Sequence, residues 1–80
     1  MTIDQKRLIE LVNYGADIEF SYKGKAYTIL AWVDGGISIG KQGSDDDKVY
    51  SSCDDFIRNC KIDGISIMDA LPEMDVLYHS

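Results

Sequence analysis

Proline, cysteine, histidine and positive charge are all scarce in this 80-residue chain, and each scarcity excludes a class of protein. Two cysteines, Cys53 and Cys60, cannot build the disulfide framework of a small secreted domain, so free thiols in a reducing compartment are expected. A zinc site would need two more soft ligands, and the single histidine, His79, lies next to the C-terminus. The longest uncharged stretch rich in apolar residues, 26–33, falls far short of the roughly 20 residues of a membrane span. Residues 1–7 show neither an apolar core nor a small-residue cleavage site of a signal peptide, so the expected location is the cytoplasm. Lys and Arg number 8 against 14 Asp and Glu, a formal charge of −6. That balance has the wrong sign for gripping phosphate backbones, and direct nucleic-acid binding is not expected. No internal repeat or low-complexity segment occurs.

What is present suits one small folded domain over residues 1–80. Apolar residues make up 45%, including Trp32, five Tyr and two Phe, enough for a core. A chain this short buries only about 60% of its unfolded surface, and a homodimer would bury more. Thr2 and Gln5 form a capping-box pattern, and Ile3, Leu8, Leu11 and Val12 recur near helical spacing up to Gly15, predicting a helix over 3–14. Residues 17–22 alternate polar and apolar, a half-buried strand, followed by a turn at Lys23-Gly24-Lys25. Residues 26–33 read as the central strand, with Tyr27, Ile29 and Ala31 on one face and Thr28, Leu30 and Trp32 on the other. Asp34-Gly35-Gly36 is a second turn before a strand at 37–39, and 42–48 reads as an acidic loop. Ser52 with Asp55, and Ser66 with Asp69, mark two helix starts, separated by a turn at Asp63-Gly64. Pro72 interferes with the second of these helices. Residues 74–78 suit either a short helical turn or an edge strand. The expected fold is therefore α+β: an N-terminal helix, a three-stranded antiparallel meander, and one or two short C-terminal helices packed on the sheet.

Four constellations invite a chemical reading and none sustains it. Gly35 through Gly40-Lys41 approaches a phosphate-binding loop, but Gln42 stands where Ser or Thr must reach magnesium, and strand character fills the loop. Asp45-Asp46-Asp47 lacks the ligand spacing of a calcium loop. Cys53 and Cys60 lie two helical turns apart, too far for a disulfide within one helix. Asp17 and Glu19 share a strand face opposite Ile18 and Phe20, and so face water. The chain is accordingly read as non-enzymatic, with no catalytic, cofactor-binding or metal-binding residue.

Charge is distributed unevenly. Residues 1–41 balance five acids against five bases, so residues 42–80 carry the whole −6. Asp54, Asp55 and Asp69 suit first helical turns and Asp63 suits a turn. Asp45, Asp46, Asp47, Glu73 and Asp75 have no such local duty. The string Ile18-Glu19-Phe20-x-Tyr22-x-Gly24-Lys25-x-Tyr27-x-Ile29, with Phe56 and the run Lys61-Ile62-Asp63-Gly64-x-Ser66-Ile67-x-Asp69-x-Leu71-Pro72-Glu73, resembles small acidic proteins of Gram-positive bacteria, their phages and integrative elements. The resemblance implies a bacterial or phage origin and brings no catalytic residues with it. Anti-CRISPR proteins share this size and acidity by analogy. The expected function is a protein-interaction module with a basic-surfaced protein partner, in its sharpest form an inhibitor occupying the basic groove of a nucleic-acid-handling protein. Asp45, Asp46, Asp47, Asp54, Asp55, Glu73 and Asp75 are the expected contacts. The alternative is a regulator that binds a small molecule or a divalent metal near the hairpin and the acidic loop.

Overall fold

The computed structural model describes residues 2–32, 34–44 and 47–79. Helix α1 spans Gln5–Tyr14 and buries Leu8, Leu11 and Val12, the apolar stripe of its period. Its N-cap is Asp4, whose Oδ1 accepts from the Arg7 backbone N–H at 2.8 Å, so the expected box at Thr2 and Gln5 is displaced by two residues. Asp outcompetes it because an ionised carboxylate also complements the positive end of the helix dipole. Gly15 ends the helix at φ +88°, a left-handed position that glycine reaches without steric cost.

Strands β1 (Ile18–Tyr22), β2 (Lys25–Ala31) and β3 (Ile37–Lys41) form the expected meander, and two further strands flank it. β4 (Lys48–Tyr50) pairs with β3, and β7 (Met74–His79) returns to pair antiparallel with β1. The sheet is five-stranded, in the order β4-β3-β2-β1-β7, where three strands were expected. β4 has only three residues, too few for alternation to show above the charge of the preceding acids. Residues 74–78 adopt the edge-strand alternative, because β1 offers Met74 and Val76 a buried face.

Helix α2 (Cys53–Asn59) starts as predicted, with Ser52 Oγ accepting from the Asp55 N–H at 3.1 Å. A small hairpin of β5 (Lys61–Ile62) and β6 (Ile65–Ser66) follows. Then comes one turn of helix, α3 (Ile67–Ala70), and a 3-10 turn at Leu71–Glu73 that accommodates Pro72. Ser66 makes no side-chain cap there, contrary to expectation. It is already committed to β6, where it pairs with Lys61.

The core lies between the sheet and the helices. Ile18, Phe20 and Tyr22 from β1, Tyr27 and Ile29 from β2, Ile37 and Ile39 from β3, and Met74 and Val76 from β7 meet Leu8, Leu11, Val12, Phe56 and Ile67. Phe20 stacks on Tyr27 with ring centroids 5.2 Å apart, and Tyr50 meets Phe56 edge-on at 5.6 Å. The opposite face of the sheet carries no helix. There Glu19 and Val49 are exposed, Leu30 lies open at its margin, and Ser38 is buried between Leu30 and Val49 on its neighbouring strands.

Candidate functional site

The two ends of β2 are built differently. At its start, Lys23 and Gly24 form a two-residue turn with φ +50° and +77°, the pairing that matches strand twist. Asp63 and Gly64 repeat that geometry between β5 and β6, at +54° and +79°. Lys25 joins the two hairpins through a 3.8 Å ion pair with Asp63. At its far end, β2 runs through Trp32 into the Asp34-Gly35-Gly36 turn. The Trp32 N–H donates to the Gly36 carbonyl at 2.8 Å, and the Gly35 N–H donates to the Trp32 carbonyl at 3.0 Å. Asp34 Oδ1 accepts from the Gly36 N–H at 3.1 Å. Gly35 sits at φ +93°, which explains the glycine there.

Trp32 therefore stands on a hydrogen-bonded turn with 54% of its surface open. The ring borders a cleft of about 480 Å³ between α1, the turn and the start of α2. Ile9, Val12, Ala31 and Ile57 supply its apolar walls, and Asn13, Ser52, Cys53 and Asp54 its polar ones. The ring also borders a hollow of about 300 Å³ bounded by Asp34, Gly36, Val49, Tyr50 and Ser51. Asp34 and Asp54 are the charged side chains lining the two, and among the described residues no Lys, Arg or His does so. Asp54 is 87% exposed and lies 3.9 Å from Arg58 one helical turn on.

The thiols and phenol nearby are poor nucleophiles. Burial, followed by the charge of Asp54, pushes the Cys53 thiol above its ordinary value, so it stays protonated at neutral pH. Burial raises Cys60 to about 11 and Tyr50 to about 12. Among the described residues no three His, Cys, Asp or Glu side chains converge as a metal site.

Of the seven acids expected to form one contact surface, the five that are described are dispersed. Asp45 and Asp46 lie outside the described residues. Asp47, just before β4, rests its carboxylate over Gly40. Asp55 has a structural duty: it accepts from the Ser51 N–H at 2.9 Å, the Ser51 hydroxyl at 3.2 Å and Asn59 Nδ2 at 2.6 Å. These bonds, the backbone one foremost, hold its carboxyl below the usual range. Glu73 and Asp75 sit by β7, on the sheet edge opposite Asp47, four strand spacings or roughly 19 Å away. Lys41, Lys48 and Lys61 gather with Asp63 around another hollow of about 200 Å³, so the region beside Asp47 is of mixed sign. Of the five that are described, the structure brings Asp54 alone to the Trp32 cleft. Sequence reasoning passed over Trp32 and Asp34. The signal was there: the alternation of β2 puts Trp32 with Thr28 and Leu30, away from the core face.

Comparison with protein-family models, with curated proteins and with solved structures returned no significant match. Among the described residues no helix is long and apolar enough to cross a membrane.

Proposed function

We propose that this chain is a non-enzymatic interaction module of bacterial or phage origin that binds a basic surface of another protein. In its sharpest form it is an inhibitor lodged in a groove that normally receives nucleic acid. The observation that carries the reading is the exposed indole of Trp32 between two hollows, an apolar-walled cleft with Asp54 and a smaller one with Asp34, with no cation among the described lining residues. Aromatic anchors surrounded by polar groups are typical of interface centres, and an acidic rim selects a basic counterpart. Asp34 and Asp54 are the primary contacts in this reading, with Asp47 at the neighbouring sheet edge, while Asp55 is occupied in holding α2. Affinity purification from a bacterial host, followed by measurement of the captured complex against salt, tests it. Binding should weaken steeply as salt rises, and the Asp34→Asn/Asp54→Asn double variant should flatten that slope. A complex insensitive to both overturns the proposal.

The cleft also has the size of a small-ligand site, which keeps a regulatory small-molecule reading in view. Its metal form predicts a change in Trp32 fluorescence on calcium titration, and an unchanged spectrum into the millimolar range removes it.

A further inference from the structure

The protein-binding reading leaves open what the indole receives, and the inference here rests on that reading. We infer that Trp32 is a seat for an arginine side chain of a basic partner segment, with the guanidinium stacked on the ring in the cleft that Asp54 lines, and with Asp34 on the neighbouring hollow adding to the negative charge around the indole. Tryptophan is usually well buried, whereas this residue is 54% exposed and borders two hollows. It is also pre-positioned, because the turn beneath it is closed by backbone bonds of 2.8 and 3.0 Å. Little ordering entropy remains to be lost on binding.

The surrounding charges select the ligand. A side chain added at Gly36 would find Asp34 Oδ1 at 3.3 Å and Trp32 Cδ1 at 3.9 Å, so the carboxylate and the indole edge flank the same glycine. One Asp34 oxygen is held by the Gly36 N–H, which fixes the carboxylate's direction. Asp54 faces the cleft from the other wall, and its 3.9 Å pair with Arg58 is exposed on both sides and readily exchanged. A neutral apolar ligand would desolvate these carboxylates without compensation, and an anion would be repelled. A cation gains from both the ring face and the carboxylates. Arginine fits better than lysine because its planar guanidinium stacks on an indole and offers five N–H donors. Its methylenes match the walls formed by Ile9, Val12, Ala31 and Ile57.

Trp32 is the only tryptophan, so its emission and its indole N–H resonance report this site alone. The probes are capped pentapeptides, leucine-flanked, that differ only at the centre: arginine, lysine, citrulline or glutamate. The arginine peptide should shift both signals saturably, and the lysine peptide should bind about three- to tenfold more weakly. Citrulline, isosteric and uncharged, and glutamate should not saturate. Trp32→Leu, followed through the Ala31 and Gly36 amides, should abolish saturation, and Asp34→Asn/Asp54→Asn should weaken the arginine peptide by roughly 3- to 30-fold. Unchanged melting of the Trp32→Leu variant separates a lost seat from a lost fold, and Trp32→Phe should retain part of the affinity. Citrulline matching arginine, lysine matching arginine, or no saturation with arginine overturns the inference. With a captured partner, undiminished binding by Trp32→Leu but lost binding by the double Asp variant removes the seat and leaves the acid-driven reading intact. Loss in neither removes both.

Discussion

The two ends of β2 differ in how charge and aromatic surface are used. At the Lys23-Gly24 end, two tight hairpins meet, Lys25 and Asp63 pair at 3.8 Å, and Tyr22, Phe20 and Tyr27 lie within the core. At the Trp32 end, the indole is open, Asp54 lines one hollow beside it and Asp34 another, and no cation lines either among the described residues. The same residue types thus serve closure at one end and exposure at the other. Aromatic rings stabilise a fold when they are covered on both faces. They serve recognition when a rigid turn holds one face out.

Substitutions at the two ends should separate these roles, and the largest effect is expected at the closed one. Phe20→Ala removes a fully buried ring stacked on Tyr27 and should lower stability by about 3–5 kcal/mol, measured by urea denaturation. In a domain of this size that is enough to unfold much of the population, whereas Trp32→Leu should leave the urea midpoint nearly unchanged. Equal losses would dissolve the contrast. Gly24→Ala forces a side chain into φ +77° and should lose about 1 kcal/mol, read as a drop in melting temperature.

Tyr22→Phe tests the closed end from the other direction. The Tyr22 hydroxyl is buried and among the described residues has no hydrogen-bond partner of good geometry, while the neighbouring Lys23 ammonium, 5.3 Å from the ring centroid, is held above its ordinary pKa chiefly by this phenol. Removing that hydroxyl should leave stability unchanged or raise it by up to about 1 kcal/mol, and a clear loss would reveal a partner for it.

The smallest effect belongs to Asp55, which holds the α2 end of the cleft. Its folded carboxyl titrates below the ordinary 3.8 because the Ser51 N–H and the Asn59 amide favour the ionised form. The depressed folded value means its contribution is fully present above the unfolded pKa and fades as pH falls through the folded one. Stability measured from pH 6 down to 2 should therefore decline less steeply below about pH 4 in Asp55→Asn than in the parent chain. A parallel decline would assign the acid sensitivity to other carboxylates.

Much of the fold was legible where local chemistry and tertiary packing agree. Gly15, the Lys23-Gly24 and Asp63-Gly64 turns, the Ser52 cap and the two faces of β2 all follow from backbone preference or from period-two alternation. The first helix start was misplaced by two residues because Thr2 and Asp4 both suit an N-cap, and only the course of the chain chooses between them. β4 and β7 were harder to read. β4 has three residues and β7 loses its alternation after Val76, and each is a strand because a neighbouring strand presents unpaired backbone groups to it. The single acidic surface expected of residues 42–80 was a statement about sequence distance. Folding sends Asp47 and Asp75 to opposite sheet edges and spends Asp55 on α2.

Composition and local pattern alone determined an α+β domain with a marked negative charge, its turns and the buried face of its central strands. These depend on steric limits and hydrophobic periods that act within a few residues. Tertiary structure decided how many strands the sheet holds, which carboxylates share a surface and which aromatic stays open. Those outcomes depend on which distant segments pair and on what covers each ring. Trp32 stays half open because α1 and the start of α2 leave a cleft beside it instead of closing over the ring.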